Sequence, residues 1–149
     1  MSPNRDWKEF VELLNSNEVE YVIVGAVALA WHGYPRYTGD VDILIRQSRQ
    51  NAERVLAALT QFGFASLGIR ADDLLRSEGI IQLGYPPVRI DILTTISGVS
   101  FDEVWAGRIQ GDFGGIPTQY IGKAELLANK RSTGRGKDIG DAEELGRRT

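Results

Sequence analysis

Gly39-Asp40-Val41-Asp42-Ile43-Leu44-Ile45 sets two carboxylates into a run otherwise suited to a buried strand. Side chains alternate across a strand, so Asp40 and Asp42 project to one face while Val41, Ile43 and Ile45 enter the core. Neighbouring carboxylates repel, and one pKa of the pair rises unless a cation intervenes. Aspartate is also a poor strand former. A local penalty of this kind is expected where function resides. The plainer alternative is a solvent-facing strand end with two incidental acids, and Asp-x-Asp alone does not decide between them.

Further along, Val88-Arg89-Ile90-Asp91-Ile92-Leu93 repeats the pattern. Alternation sends Val88, Ile90 and Ile92 inward and puts Arg89 and Asp91 on the other face. If this strand lies beside the first, three carboxylates converge. Three hard oxygen ligands with no histidine or cysteine cluster suit Mg²⁺ or Mn²⁺ better than zinc. Such a set can hold two ions roughly 3.5–4 Å apart, clamping the attacking and leaving oxygens of an in-line displacement. Taken alone, Asp91 could equally be an exposed strand acid.

Upstream, Tyr21-Val22-Ile23-Val24 reads as a buried strand, and Gly25-Ala26 turns it into a helix through Trp31 that Gly33 and Pro35 end. The first amides of such a helix have no intrahelical acceptor, so the turn is a candidate phosphate seat, although any tight strand-to-helix turn also favours glycine. Residues Pro3 to Leu14 carry Trp7, Phe10, Val11 and Leu14 at helical spacing. Gln50 to Gln61 is a second amphipathic helix, and Phe64 to Ile69 is expected as a strand. Ile80 to Leu83 and Val88 to Leu93 flank Gly84-Tyr85-Pro86-Pro87 as a hairpin. Phe101 to Ala106 is a short helix and Ile116 to Ile121 is extended. Lys123 to Arg131 and Asp138 to Leu145 are two closing helices around a glycine-rich loop, Ser132 to Gly136. This order predicts an α+β fold, a mixed sheet covered by helices.

The 149 residues are one domain by length. Hydrophobic residues at 42% and charged residues at 25% give a globular balance. No apolar run is long enough to span a bilayer, and the first residues lack the basic segment and apolar stretch expected of a secretory signal. Without cysteine, disulfides and thiolate metal sites are excluded. The expected location is cytoplasmic, with no membrane partner. A net charge of -3 argues against broad, charge-driven nucleic-acid binding. Locally, however, Lys123, Lys130, Arg131, Arg135 and Lys137 stand against the single acid Glu125. An acidic centre near residue 40 and a basic one near residue 130 suit a metal-nucleotide substrate, and a basic surface helix would look the same.

Taken together these residues carry a resemblance. Val24-Gly25-Ala26, then Asp40-Val41-Asp42-Ile43, then Arg89-Ile90-Asp91-Ile92 resembles the polymerase-beta-like nucleotidyltransferase superfamily, whose pattern is Gly-Gly or Gly-Ser, Asp-x-Asp and a third strand carboxylate. The run His32-Gly33-Tyr34-Pro35-Arg36-Tyr37-Thr38-Gly39-Asp40 looks like the small prokaryotic branch that includes toxin–antitoxin and abortive-infection transferases. Gly134-Arg135-Gly136-Lys137-Asp138 with Asp141 and Leu145 is similar to that branch's C-terminal helix.

The resemblance implies a minimal nucleotidyltransferase domain over 1–149, with its core at about 20–145 and the helix at 3–15 packed on it. It implies Mg²⁺ (or Mn²⁺), a nucleoside triphosphate such as ATP, an acceptor that is RNA, protein or a small molecule, and an antitoxin-like partner protein. Asp40 and Asp42 would bind the metals and through them the triphosphate. Asp91 would bind the catalytic metal and help deprotonate the acceptor. Gly25 would lie under the phosphates. Ala26 departs from the pattern, adding a methyl and offering no hydroxyl. That departure keeps a different-class alternative open: a non-catalytic nucleotide-binding module or partner subunit.

Other residues are weaker candidates. Arg36 and Thr38 could touch phosphate, or serve turn and strand-edge chemistry. Lys123 and Lys130 share a helix face; one could neutralise pyrophosphate, though two surface lysines is the commoner outcome. Lys137 is a further phosphate candidate, or it simply pairs with Asp141. His32 reads as a helix-end cap, and Trp31, Trp105 and Tyr34 as packing.

Overall fold

A computed structural model describes residues 4–34 and 37–133. Arg36, Lys137 and the expected helix from Asp138 to Leu145 lie outside the described residues, as does the glycine-rich motif beginning at Gly134. Helix α1 spans Arg5–Ser16, opened by Asn4, whose side chain accepts from the Trp7 amide. Strand β1 is Tyr21–Val24, followed without a loop by helix α2, Gly25–Trp31. Strand β2 is Asp40–Ile45 and helix α3 is Arg49–Phe62. Strands β3, Ile80–Leu83, and β4, Arg89–Leu93, form the expected hairpin. Helix α4, Phe101–Ala106, precedes a second hairpin, β5 at Ile109–Phe113 and β6 at Ile116–Tyr120, and α5 is Lys123–Ser132.

Among the described residues the strands form one sheet in the order β3-β4-β2-β1-β6-β5. The sheet is mixed: β4 runs parallel to β2 and β6 parallel to β1, while β1 is antiparallel to β2. The α+β architecture expected from the sequence is therefore the one observed. Both faces of the centre are covered, since β1 and the last three residues of β2 are wholly buried, including Leu44 on the aspartate side of the alternation. Helix α1 presents Trp7, Phe10, Val11 and Leu14 to the core and packs on α3, with the Phe10 and Phe62 rings 5.3 Å apart. Buried Asn51 of α3 clips the sheet to that layer. It accepts from the Glu20 amide at 2.7 Å and donates to the Glu20 and Arg46 carbonyls.

Three expectations need correction. Phe64 to Ile69 is not a strand: Gly63 and Gly68 both take left-handed backbone and the residues between make a 3-10 turn, Ala65–Leu67. Two such glycines bend the chain at either end of a run too short to pair. Val88 does not point inward; it is 37% exposed because it still belongs to the turn, and β4 begins one residue later. Strand β5 was not expected at all. Its sequence, Ile109-Gln110-Gly111-Asp112-Phe113, has a central glycine and mostly polar neighbours, and as an edge strand it is held by β6 alone.

Candidate active site

The site is built by register. In the parallel pair of β2 and β4, Asp40 stands opposite Arg89 and Asp42 opposite Asp91. Directly paired residues share a face, so the three aspartates and the arginine are presented together. One carboxylate oxygen from each of Asp40, Asp42 and Asp91 lies within 4.8 Å of the others, close enough to share a cation. The convergence expected from strand alternation is what the sheet delivers.

The surroundings make that convergence costly for the fold. Asp42 is pushed up to about 7, first by burial, then by the charges of Asp40 and Asp91 and a hydrogen bond with Asp91, with Lys130 pulling the other way. Asp91, only 5% exposed, is also raised, chiefly by burial, while Arg89 opposes the shift. Buried acids that resist ionising together are the electrostatic counterpart of a missing positive charge. Their donors are all hard carboxylate oxygens, and no histidine or cysteine joins the group among the described residues. By donor chemistry, spacing and charge the triad fits a divalent cation of the Mg²⁺ or Mn²⁺ kind.

Two basic side chains, Arg89 and Lys130, complete the picture. Arg89 Nη2 donates to Asp40 Oδ2 at 2.6 Å and to Asp91 Oδ2 at 3.2 Å, and its Nε donates to Asp91 Oδ1 at 3.0 Å. Strand parity already puts Arg89 on the face of Asp91, and that signal was present in the sequence. Lys130, a phosphate candidate whose plainer alternative is a surface lysine, is 8% exposed, and its charge is felt by Asp42. Helix α5 carries it there, with Leu126 buried one turn earlier and Asn129 donating to the Ser97 carbonyl. Lys123, a helix turn and more away, stays half-exposed, so the two lysines have different fates.

The strand-to-helix turn also sits against the triad. Gly25 has φ +71, and a β-carbon there would collide with Asp42 Oδ2. Glycine is required on both counts, backbone angle and space. Ala26 follows as the next residue of α2. Thr38 Oγ1 lies 2.8 Å from the Asp40 carbonyl and 2.9 Å from Asp40 Oδ1, so its hydroxyl orients the first aspartate from the preceding loop. His32 is the residue that ends α2, but its ring is used to tie two segments: Nε2 donates to the Ile121 carbonyl at 2.7 Å. Trp31 is stacked on Tyr120, ring centroids 4.4 Å apart, and Trp105 is covered by Arg108. Both rings pack against neighbours, and Trp31 keeps 37% of its surface exposed.

No helix among the described residues is long and apolar enough to cross a membrane. No protein-family model matches the chain, and no curated protein matches it. A solved structure of similar architecture is that of TM1012 from Thermotoga maritima, described as a "putative nucleotidyltransferase". The two superpose with a TM-score of 0.61 at 14% identity, over 96% of this chain and 89% of that one. At such identity the likeness is one of fold, and the chain has the mixed α+β fold of that nucleotidyltransferase-like structure.

Proposed function

We propose that this chain is a metal-dependent nucleotidyltransferase, one domain over 1–149, that transfers a nucleoside monophosphate from a triphosphate to an acceptor hydroxyl. The observation that carries the reading is the register of β2 against β4, which brings three carboxylates within 4.8 Å beside the turn at Gly25. Asp40, Asp42 and Asp91 would hold the cation. When bound, a divalent ion neutralises triphosphate charge and polarises the α-phosphorus. The remaining work falls to positioning, since such transfers need little covalent help from the protein.

In that reading Asp91 takes the acceptor's proton as its oxygen bonds to the α-phosphorus. The bond between that phosphorus and the bridging oxygen breaks, and pyrophosphate leaves. Gly25 and Ala26 lie under the phosphates, Thr38 holds Asp40 in place, and Lys130 meets the charge of the departing group. Arg36 and Lys137 are further phosphate ligands in the same proposal. The acceptor is RNA, a protein or a small molecule, and an antitoxin-like partner would act by covering the triad.

The test is incubation with each α-labelled nucleoside triphosphate, Mg²⁺ or Mn²⁺ and total RNA or protein. Metal-dependent label on an acceptor, absent with Asp42→Asn, is the expected result. Triphosphate binding with no transfer to any acceptor would favour a nucleotide sensor instead.

A further inference from the structure

The contacts of Arg89 do not fit a passive role. A strand arginine opposite an aspartate would normally extend into solvent and pair loosely. Here the guanidinium makes three hydrogen bonds to two carboxylates on two strands, at 2.6, 3.0 and 3.2 Å. The carboxylates it engages, Asp40 and Asp91, are two of the three that converge in the triad. Asp42 has no such bond to Arg89 among those described. The guanidinium therefore bridges two members of the triad, across two strands.

Resting on the metal-binding reading above, we propose that Arg89 is an internal stand-in for the divalent ion. Without metal, its planar fork bridges Asp40 and Asp91 and holds the strands' carboxylates in place. With metal, ion and guanidinium compete for the same oxygens, and Arg89 must leave at least one carboxylate. A fork with fixed donor geometry suits this, because it matches carboxylates two oxygens at a time and stays charged at every working pH. The consequence is a metal site whose apparent affinity is held down by the protein's own side chain. A residue that only positioned the aspartates would have the opposite effect on removal, since scattered carboxylates bind an ion less well.

The test is Mn²⁺ titration by calorimetry at pH 8, metal alone, with wild type, Arg89→Gln and Arg89→Lys. Arg89→Gln should bind Mn²⁺ about tenfold more tightly than wild type, the scale of one charge-assisted hydrogen bond. Its metal-free melting temperature should fall while the rise on adding Mn²⁺ grows. Arg89→Lys keeps the charge and loses the fork, so it should fall between the two. If wild type binds Mn²⁺ and both variants bind it no more tightly, the stand-in role is overturned and the metal site survives. If none of the three binds Mn²⁺, the metal reading of the triad falls and this inference with it.

Discussion

At the scale of single residues, the three aspartates divide by environment. Asp42 carries the heaviest burden, raised from 3.8 to about 7 by burial and by its two acidic neighbours. An acid whose folded pKa is raised keeps its proton in the fold where the unfolded chain has lost it. Its penalty is therefore absent below pH 4, grows as pH rises towards 7 and is complete above that. Asp42→Asn should stabilise the metal-free protein by about 1–3 kcal/mol at pH 8 and leave it unchanged near pH 4. Urea melts at the two pH values, in chelator, check this; a loss of stability at pH 8 would contradict it. For the same reason metal must displace the Asp42 proton, so metal affinity should climb with pH and level off above about 7. Asp91 is expected to act in the transition state more than in binding. Asp91→Asn should keep metal-dependent triphosphate binding and lower the transfer rate by about a hundredfold or more, the upper range for weakening a metal site. An unchanged rate would show that the third carboxylate has been given the wrong role. The aspartates were legible in the sequence because strand parity fixes the face of each. The burial of Lys130 was not, because seven-residue spacing says that two lysines share a face without saying which end of the helix meets the sheet.

At the scale of elements, the turn from β1 to α2 is the tightest point of the design. Gly25 holds left-handed backbone, and its missing β-carbon leaves room for the Asp42 carboxylate. Gly25→Ala should cost about 1–3 kcal/mol through backbone strain and contact with Asp42, and should weaken Mn²⁺ binding at the same time. Ala26→Ser should leave stability within about 0.5 kcal/mol, as helix starts tolerate serine, and preserve or improve triphosphate affinity. Thermal melts and nucleotide titration separate the two effects. The elements flanking this turn were readable because their apolar runs are unbroken: β1, β2 and the α1 stripe fall where periodicity puts them. The misreadings cluster where glycine overrides a short apolar pattern. Gly63 and Gly68 turn an expected strand into a 3-10 turn, and Gly111 conceals β5. Gly111 is there for packing: a β-carbon would run into the Trp31 ring. Only the tertiary arrangement reveals that need.

At the scale of the whole molecule, the sheet order places the candidate site on β2 and β4 while α1 and α3 brace the fold from their own contacts. Phe10, fully buried against Phe62, belongs to that brace. Phe10→Ala should therefore lower stability by about 3–5 kcal/mol and leave the Mn²⁺ affinity of the folded protein unchanged. The fold class could be read from the order of helices and strands, whereas pairing partners such as β6 beside β1 depend on crossovers that no local pattern records. The reading requires that Asp40, Asp42 and Asp91 form one divalent-metal site, in which Asp40 and Asp42 carry the nucleoside triphosphate through metal and Asp91 serves the catalytic ion. Anomalous diffraction at the manganese edge, from crystals grown with Mn²⁺ and a triphosphate that cannot be cleaved at the α-phosphorus, tests it most directly. The expected result is an anomalous peak among oxygens of the three aspartates, with triphosphate oxygens completing the shell beside Gly25 and the Arg89 bridge between Asp40 and Asp91 broken. A nucleotide bound elsewhere, or a triad still bridged by Arg89 with no manganese among its oxygens, would contradict it.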